Sequence, residues 1–178
     1  MNSLEFISFI KNNLSNWFNF PKDKLFCQVA SLKDRTPQIR TMALYDFTQQ
    51  GSLVFITDTS SPKWEQLSAC DEVSVCMLNP VLGQILAEGR AQLHTSQTNL
   101  PMVTLYWENY LDQYWRNFYQ KNESSKVLNS IPTAFGIVKI EPKSLELLTI
   151  NSEDFLRGSR EKYEKQGSLW IKNQLSLI

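Results

Sequence analysis

Four short segments between residues 37 and 91 contain side chains that could bind an anion and a planar ring. In order they are Pro37-Gln-Ile-Arg40-Thr-Met-Ala-Leu44, Gly51-Ser-Leu-Val-Phe55-Ile-Thr57-Asp, Ser61-Pro-Lys63 and Gln84-Ile-Leu-Ala-Glu-Gly89-Arg-Ala. A basic residue within a strand, a hydroxyl at a strand end and a Ser-x-Lys at a helix start could together bind a phosphate. An amide on a later strand could contact a planar ring.

Arg40, Ser61 and Lys63 are chemically suited to a phosphate monoester. Such an ester carries nearly two negative charges, and an unpaired buried charge costs several kcal/mol. Arg40 offers a planar fork of donors, Lys63 offers a point charge, and Ser61 lies at the positive end of a helix. Taken singly, Arg40 could equally be a solvated strand residue, and Lys63 is more often a solvated helix residue than a ligand. Sequence spacing alone does not bring them together, although neighbouring strands of a meander would.

Gln84 and Thr57 are weaker candidates when each is taken alone. The Gln84 amide can donate and accept hydrogen bonds at once, which suits the alternating edge of a heteroaromatic ring. A lone glutamine is more often a surface residue. A threonine such as Thr57 at a strand end is usually only a β-former.

The composition argues against several other functions. The chain has 18 basic and 18 acidic residues among 178, so no basic field favours nucleic acid or an anionic membrane as a partner. Three cysteines without Cys-x-x-Cys spacing and a single histidine, His94, favour neither a disulfide framework nor a metal site. The motifs of serine hydrolases, zinc proteases, P-loop enzymes and dinucleotide-binding folds do not occur.

The chain length and hydropathy indicate one domain over residues 1–178 in the cytoplasm. A chain of 178 residues can bury most of its apolar surface in a single core. No apolar stretch reaches the ~20 residues that a bilayer span needs, and the N-terminus lacks the pattern of a signal peptide. A helical insert is expected at about residues 97–130.

Short apolar or alternating segments predict an antiparallel sheet or barrel. They cover residues 25–32, 38–47, 53–57, 72–78, 84–93, 134–140 and 144–150. Two further segments, 159–165 and 169–175, flank Gln166-Gly167-Ser168 and predict a C-terminal hairpin.

Helical spacing predicts three helices. The first ends before Pro21, and the second begins at Ser61 with Pro62 in its first position. The third follows Pro101 and carries an aromatic stripe that we expect to pack against the barrel or a partner subunit. The stripe consists of Trp107, Tyr110, Leu111, Tyr114, Trp115 and Phe118.

The ordered motifs together resemble a known family. They read Pro37-x-x-Arg40-x-x-x-Leu44, Gly51-x-Leu-x-Phe55-x-Thr57, Ser61-x-Lys63-x-x-x-Leu67, Gln84-x-x-x-x-Gly89-x-Ala91, Arg160-x-x-Tyr163 and Trp170-x-x-x-x-Leu175. This set resembles the pyridoxamine 5′-phosphate oxidase-like FMN-binding split-barrel superfamily, and it is nearest to the shorter members. The resemblance covers roughly residues 20–95 and 134–177. It implies a mainly β, α+β fold with an antiparallel split β-barrel, an N-terminal helix and inserted helices.

The resemblance also implies a homodimer with FMN in each of two clefts between the subunits. The implied cofactor-binding residues are Arg40, Thr41, Met42, Ala43, Leu44, Thr57, Ser61, Lys63, Gln84 and Arg160. Of these, Arg40 and Lys63 would bind the phosphate, residues 41–44 would run beside the flavin, and Thr57 and Ser61 would add hydroxyl contacts.

Two of the implied residues concern the ring and the subunit interface. Gln84 would contact the flavin ring, and Arg160 would reach in from the other subunit. Because the flavin itself performs the redox chemistry, no residue is assigned a catalytic proton transfer.

The sequence departs from authentic oxidases at the positions that bind their substrate. Those enzymes have an Arg-x-His just before the late arginine, whereas Leu156-Arg157-Gly158-Ser159 precedes Arg160 here. The position after Leu44, a lysine in the oxidase, is Tyr45. The cofactor prediction is less affected by these changes than the substrate prediction.

The expected function is that of an FMN-binding oxidoreductase resembling pyridoxamine/pyridoxine 5′-phosphate oxidase. It would accept hydride from a small amine or alcohol onto FMN. The alternatives are a flavin reductase with a different substrate, a non-catalytic flavin carrier or sensor, and a dimeric barrel that binds no flavin. The missing Arg-x-His favours a carrier or a changed substrate.

Overall fold

The computed structural model describes residues 1–121 and 131–177 as four α-helices and eight β-strands. The helices are α1 (Ser3–Phe18), α2 (Pro62–Ala69), α3 (Leu100–Asn109) and α4 (Gln113–Lys121). The strands are β1 (Leu25–Lys33), β2 (Thr36–Phe47), β3 (Leu53–Asp58), β4 (Glu72–Asn79), β5 (Gly83–His94), β6 (Phe135–Thr149), β7 (Ser159–Gln166) and β8 (Leu169–Leu175). None of the helices in these two ranges is long and apolar enough to cross a bilayer.

Six of the strands close into an antiparallel barrel. They are ordered β3-β2-β1-β4-β5-β6, and pairing of β6 with β3 completes the circle. Beyond β6, the hairpin of β7 and β8 extends the sheet. The expected α+β fold with an antiparallel split barrel is therefore confirmed, as is the predicted C-terminal hairpin.

The predicted strands at 134–140 and 144–150 are a single bent strand, β6. Its first half pairs with β3 and its second half with β7. The register between β5 and β6 shifts at Glu88/Gly89, and this bulge lets β6 bend without losing its pairing. Gly89 is required there, because a Cβ would lie 2.2 Å from the Glu141 carbonyl oxygen. Because the bulge opposite Pro142 absorbs the bend, this proline does not end the strand.

Alternate side chains of the barrel strands fill its interior. On β1, Leu25, Cys27 and Val29 are buried, whereas Phe26 on the opposite face is 58% exposed. Helix α1 packs against the C-terminal hairpin through Phe6, which stacks on Trp170 of β8 with ring centroids 4.0 Å apart.

The predicted third helix is two helices, because Asp112 starts a new one. Its side chain accepts a hydrogen bond from the Trp115 N–H at 3.0 Å, and its carbonyl accepts one from the Arg116 N–H. Trp107 packs against barrel residue Phe135 in a second apolar cluster. The predicted packing of the stripe on the barrel is thus confirmed for its first part. Residues 122–130 of the predicted insert lie outside the described residues.

The exposed part of the aromatic stripe lies on α4. Tyr114 is 71% exposed and Phe118 is 42% exposed. Contact of this part with a partner subunit stays a prediction.

Candidate functional site

A gap opens between β2 and β3 beside Arg40. The two strands pair only from Leu44↔Phe55 to Phe47↔Leu53, and the rest of β3 continues in its pairing with β6. In the described part of the chain, the edge of β2 over residues 40–43 therefore has no strand partner on this side. The backbone N–H and C=O groups of every second residue here face the gap and remain available to a ligand, while those between them face β1.

Side chains along this part of β2 alternate between the two faces of the strand. Met42 and Leu44 lie in the core with 6% and 3% exposure, so a ligand can reach them only through their backbone. Thr41 and Ala43 point to the outer face, and Thr41 is exposed. If a flavin lies beside residues 41–44 as predicted, it can contact their backbone groups and the side chains of Thr41 and Ala43.

Arg40 shares the inner face with Met42 and projects from the end of the barrel toward α2. Its Nη1 donates to Ser31 Oγ at 2.7 Å and to the Val29 carbonyl at 3.4 Å. Its Nη2 donates to the side-chain oxygen of Gln66 on α2. Partial burial lowers the pKa of Arg40, but a guanidinium stays charged in proteins. A permanent positive charge is therefore held beside the gap.

Lys63 in the first turn of α2 brings a second positive charge to the same place. Burial lowers the pKa of its ammonium group, the charge of Arg40 lowers it further, and Asp58 acts in the opposite direction. Arg40 also reaches this helix, because its Nη2 donates to Gln66, which lies one helical turn after Lys63. Among the described residues, neither cation forms a salt bridge with a carboxylate. Two partly buried cations without such a partner favour binding of an anion.

Thr57 and Ser61 place two hydroxyl groups beside the start of α2. The Thr57 Oγ1 and Ser61 Oγ atoms are 3.5 Å apart, and Thr57 is buried. Ser61 occupies the N-cap position as predicted, but its hydroxyl donates to the Asp58 carbonyl at 2.6 Å instead of accepting from a helix amide. Without a side-chain cap, the positive end of the helix remains available to an anion.

Gln84 and Arg160 lie on the same outer face of the sheet. Gln84 pairs with Leu148 across β5 and β6, and Leu148 pairs with Arg160 across β6 and β7. The two polar residues therefore lie in one row, about 10 Å apart by strand spacing. Arg160 Nε donates to Glu146 at 2.7 Å.

This row lies far from Arg40 of the same chain. Arg40 aligns with Val29, Val29 with Val75, and Val75 with Ala87, which spans three strand spacings, or about 14 Å. Gln84 lies three residues further along β5 and on the opposite face. One chain thus brings Arg40, Lys63 and the two hydroxyls together and leaves Gln84 and Arg160 in a separate group.

Sequence reasoning missed the two residues that hold Arg40. Ser31 is a hydroxyl at an inward position of β1, where the preceding inward residues are apolar. Gln66 follows Lys63 by three residues, so the two lie on the same face of α2. Neither feature is distinctive by itself, so neither residue could be recognised from the sequence. Tyr45 is partly buried, and burial together with Asp112 raises its pKa.

Comparison with known proteins agrees with this architecture. Residues 16–146 match the family model described as pyridoxamine 5′-phosphate oxidase. No match was found among curated proteins.

Two solved structures have the same fold over most of their length. A pyridoxamine 5′-phosphate oxidase-related, FMN-binding protein of Nostoc punctiforme has a TM-score of 0.77 at 19% identity, covering 95% of this chain and 96% of that one. PhzG of Burkholderia lata, solved with tetrahydrophenazine-1-carboxylic acid, has a TM-score of 0.74 at 17% identity, covering 95% and 91%. At these identities the likeness establishes the fold, while the family model matches well over half of the sequence. The chain therefore belongs to the pyridoxamine 5′-phosphate oxidase family.

Proposed function

We propose that the protein binds FMN at the gap between β2 and β3 and acts as an oxidoreductase that accepts hydride from a small amine or alcohol. The observation behind this proposal is the hydrogen bond from Arg40 to Gln66, which lies one helical turn after Lys63 and so brings the guanidinium to the helix that carries the ammonium group. A phosphate monoester with nearly two negative charges at neutral pH fits that set of donors. The hydroxyls of Thr57 and Ser61 would add neutral contacts.

The flavin ring would lie along the unpaired edge of β2. Residues 40–43 present backbone groups to the gap, and a flavin has alternating donors and acceptors that such an edge can bind. Bound FMN would supply the hydride acceptor. The residues of this chain would bind the phosphate and orient the ring.

We further propose that a second subunit completes each site. Gln84 and Arg160 lie on the outer face of the barrel, out of reach of Arg40 in their own chain. The same face exposes large apolar side chains, with Phe26 at 58% and Leu78 at 56% exposure, as expected of a protein interface. In a twofold homodimer, each chain would present its Gln84 and Arg160 to the gap of its partner.

The residues before Arg160 support a substrate other than a vitamin B6 phosphate. Arg157 is exposed and pairs with Asp154 at 3.4 Å. The Ser159 hydroxyl lies 2.6 Å from the Thr149 hydroxyl. The segment has no Arg-x-His for a second phosphate, and its arginine and serine are already engaged within their own chain. This favours a small amine or alcohol without that group, or a reductase with a different substrate.

The second candidate function is a flavin carrier or sensor without turnover. The observation that favours it is the same missing Arg-x-His beside an otherwise suitable phosphate site. Anaerobic mixing with a substrate panel separates the two functions. Pyridoxine phosphate, pyridoxamine phosphate and tetrahydrophenazine-1-carboxylic acid, the ligand of a structural neighbour, belong in that panel. Bleaching of the flavin by any compound supports the oxidoreductase, and its absence throughout supports the carrier.

The test of cofactor binding is identification of the ligand released by heat from the purified protein. We expect a yellow protein that releases FMN, and a colourless protein in Arg40→Ala and Lys63→Ala. Lys172→Ala is the matched control, because Lys172 is exposed and lies on β8, at the other end of the strand order from β2 and β3. A colourless wild-type protein that takes up no added FMN would contradict the proposal.

A further inference from the structure

We propose that Gln66 and Ser31 are positioning residues that fix the Arg40 guanidinium before any ligand binds, so that the site selects a flavin bearing a phosphate. This inference rests on the proposed function, because it assigns roles around the proposed phosphate site. Neither residue belongs to the ordered motifs of the sequence. Both are identified by their hydrogen bonds to Arg40.

The three side chains form a closed ring of hydrogen bonds. Arg40 Nη1 donates to Ser31 Oγ at 2.7 Å, Ser31 Oγ donates to Gln66 Oε1 at 2.9 Å, and Arg40 Nη2 donates to the same oxygen. Because arginine has no acceptor, Gln66 must present its oxygen to it. Ser31 is 2% exposed, so the ring is anchored in the barrel interior.

The hydrogen bonds among Arg40, Ser31 and Gln66 leave one edge of the guanidinium available to a ligand. Its contacts with Ser31, Val29 and Gln66 are made by Nη1 and Nη2 and not by Nε. The Nε–H and one N–H of Nη2 lie together on one edge of the planar group. Among the described residues, no acceptor contacts the Nε–H. Two parallel donors on one edge are the arrangement that binds a phosphate bidentately.

Gln66 also links the two cations of the site. It follows Lys63 by one helical turn, and both side chains project from the same face of α2. Leu67, with 2% exposure, anchors this helix to the barrel. The helix that supplies the Lys63 ammonium group therefore also holds the Arg40 guanidinium. A free arginine would lose rotamer freedom on binding, and this arrangement removes most of that cost.

The test compares affinities for FMN and riboflavin, which differ only in the phosphate. Gln66→Met removes the acceptor with a residue of similar length and good helix propensity. We expect FMN to bind about tenfold more weakly, on the scale of one hydrogen bond to a charged group, and riboflavin to be unchanged. Ser31→Ala should likewise lower the affinity for FMN relative to the affinity for riboflavin. Gln120→Met, the same change at an exposed position of α4, should leave both affinities unaltered.

A second measurement needs no flavin. In ¹⁵N NMR of the ligand-free protein, the Nη groups of Arg40 should give separate, slowly exchanging signals. These signals should average in Gln66→Met and Ser31→Ala and remain separate in Gln66→Glu, which keeps an acceptor. Unchanged Arg40 signals in the first two variants would overturn the inference, whatever the affinities.

The outcomes distinguish this inference from the proposed function. If wild-type protein prefers FMN and both variants keep the same preference, the positioning role is wrong and the function stands. If wild-type protein binds neither flavin, the function is wrong, and the NMR measurement alone then decides whether Gln66 and Ser31 hold Arg40.

Discussion

Gly136 of β6 lies directly against the indole ring of Trp64 on α2. A Cβ at position 136 would be 2.5 Å from Trp64 Cζ3 and 2.8 Å from Thr59 Cγ2. The glycine pairs with Thr57 on β3, so the contact lies next to the proposed phosphate site. The approach of α2 to the barrel therefore depends on the absence of a side chain at one position of β6.

We predict that Gly136→Ala moves α2 and weakens both stability and FMN binding. Overpacking of this kind costs about 1–3 kcal/mol, because neither the indole nor the strand can shift freely. Urea unfolding and FMN titration measure the two effects. Trp64→Leu provides the control, since it removes the clashing ring. In the double variant the loss caused by the added methyl group should be smaller than in the single one, and strictly additive losses would show that the clash is not the cause.

Most of the barrel could be predicted from the sequence, because its strands alternate or end at glycine, proline or asparagine. The segments at 25–32, 72–78 and 84–93 match β1, β4 and β5 to within one residue at each end. The two errors are the division of β6 into two strands and the prediction of one helix in place of α3 and α4. In both cases one local signal was given the wrong weight. Pro142 does not end β6, because the bulge opposite it absorbs the bend. Asp112 starts a new helix within an unbroken aromatic pattern.

We predict that FMN affinity falls as the pH rises above the pKa of Lys63 in the ligand-free protein. Burial and the charge of Arg40 put that pKa below the ordinary value of 10.5. A bound phosphate favours the protonated amine, so affinity is full below the free-state pKa and declines above it. On the acid side, affinity should also fall below about pH 6, where the phosphate takes up a proton.

Two controls isolate the role of Lys63 in this profile. Lys63→Arg keeps its charge at all accessible pH values, so its alkaline decline should disappear. Riboflavin has the same ring without the phosphate, so it reports any alkaline change that comes from ionisation of the ring N3–H, and only the additional decline of FMN is assigned to the phosphate site. An alkaline decline that persists unchanged in Lys63→Arg would assign the effect to another group. Titration by flavin fluorescence from mildly acidic to strongly alkaline pH measures all three curves.

We predict that Phe6→Ala destabilises the protein by about 3–5 kcal/mol, the usual cost of removing a buried phenyl ring. Phe6 is 1% exposed and contacts both Trp170 and Tyr163, with ring centroids at 4.0 and 5.2 Å. The change should loosen the hairpin of β7 and β8, which includes Arg160. Leu4→Ala on the same helix should cost little, because Leu4 is 75% exposed. Equal losses in the two variants, measured by urea unfolding, would contradict this assignment.

The candidate site could be predicted only in part from the sequence. Arg40, Lys63 and Ser61 are recognisable by type and position, and the fold brings them together because β2 and α2 meet at the split. Gln66 and Ser31 were not recognisable, since a helical glutamine and an inward serine have no distinctive spacing of their own. The separation of Gln84 from Arg40 depends on strand register and on which face each side chain occupies. Neither property can be read from a motif.

That separation leads to the last prediction, that two variants with defective sites restore each other. Arg40→Ala removes the phosphate donor of a chain, and Arg160→Ala removes the residue proposed to enter the partner's gap. In a mixed dimer, one site combines both defects and the other combines Arg40 of one chain with Arg160 of the other. After random reassociation about a quarter of all sites should therefore be intact. If each site were built within one chain, no mixture would contain an intact site.

The measurement is FMN bound per chain after the two variants are unfolded, mixed and refolded. Each variant refolded alone provides the baseline. A mixture of Arg40→Ala with Lys63→Ala is the matched control. Because both of its defects lie on the same half of the site, no mixed dimer contains an intact site. Recovery in the Arg40→Ala and Arg160→Ala mixture alone would support a site shared between subunits, whereas recovery in neither mixture would contradict it.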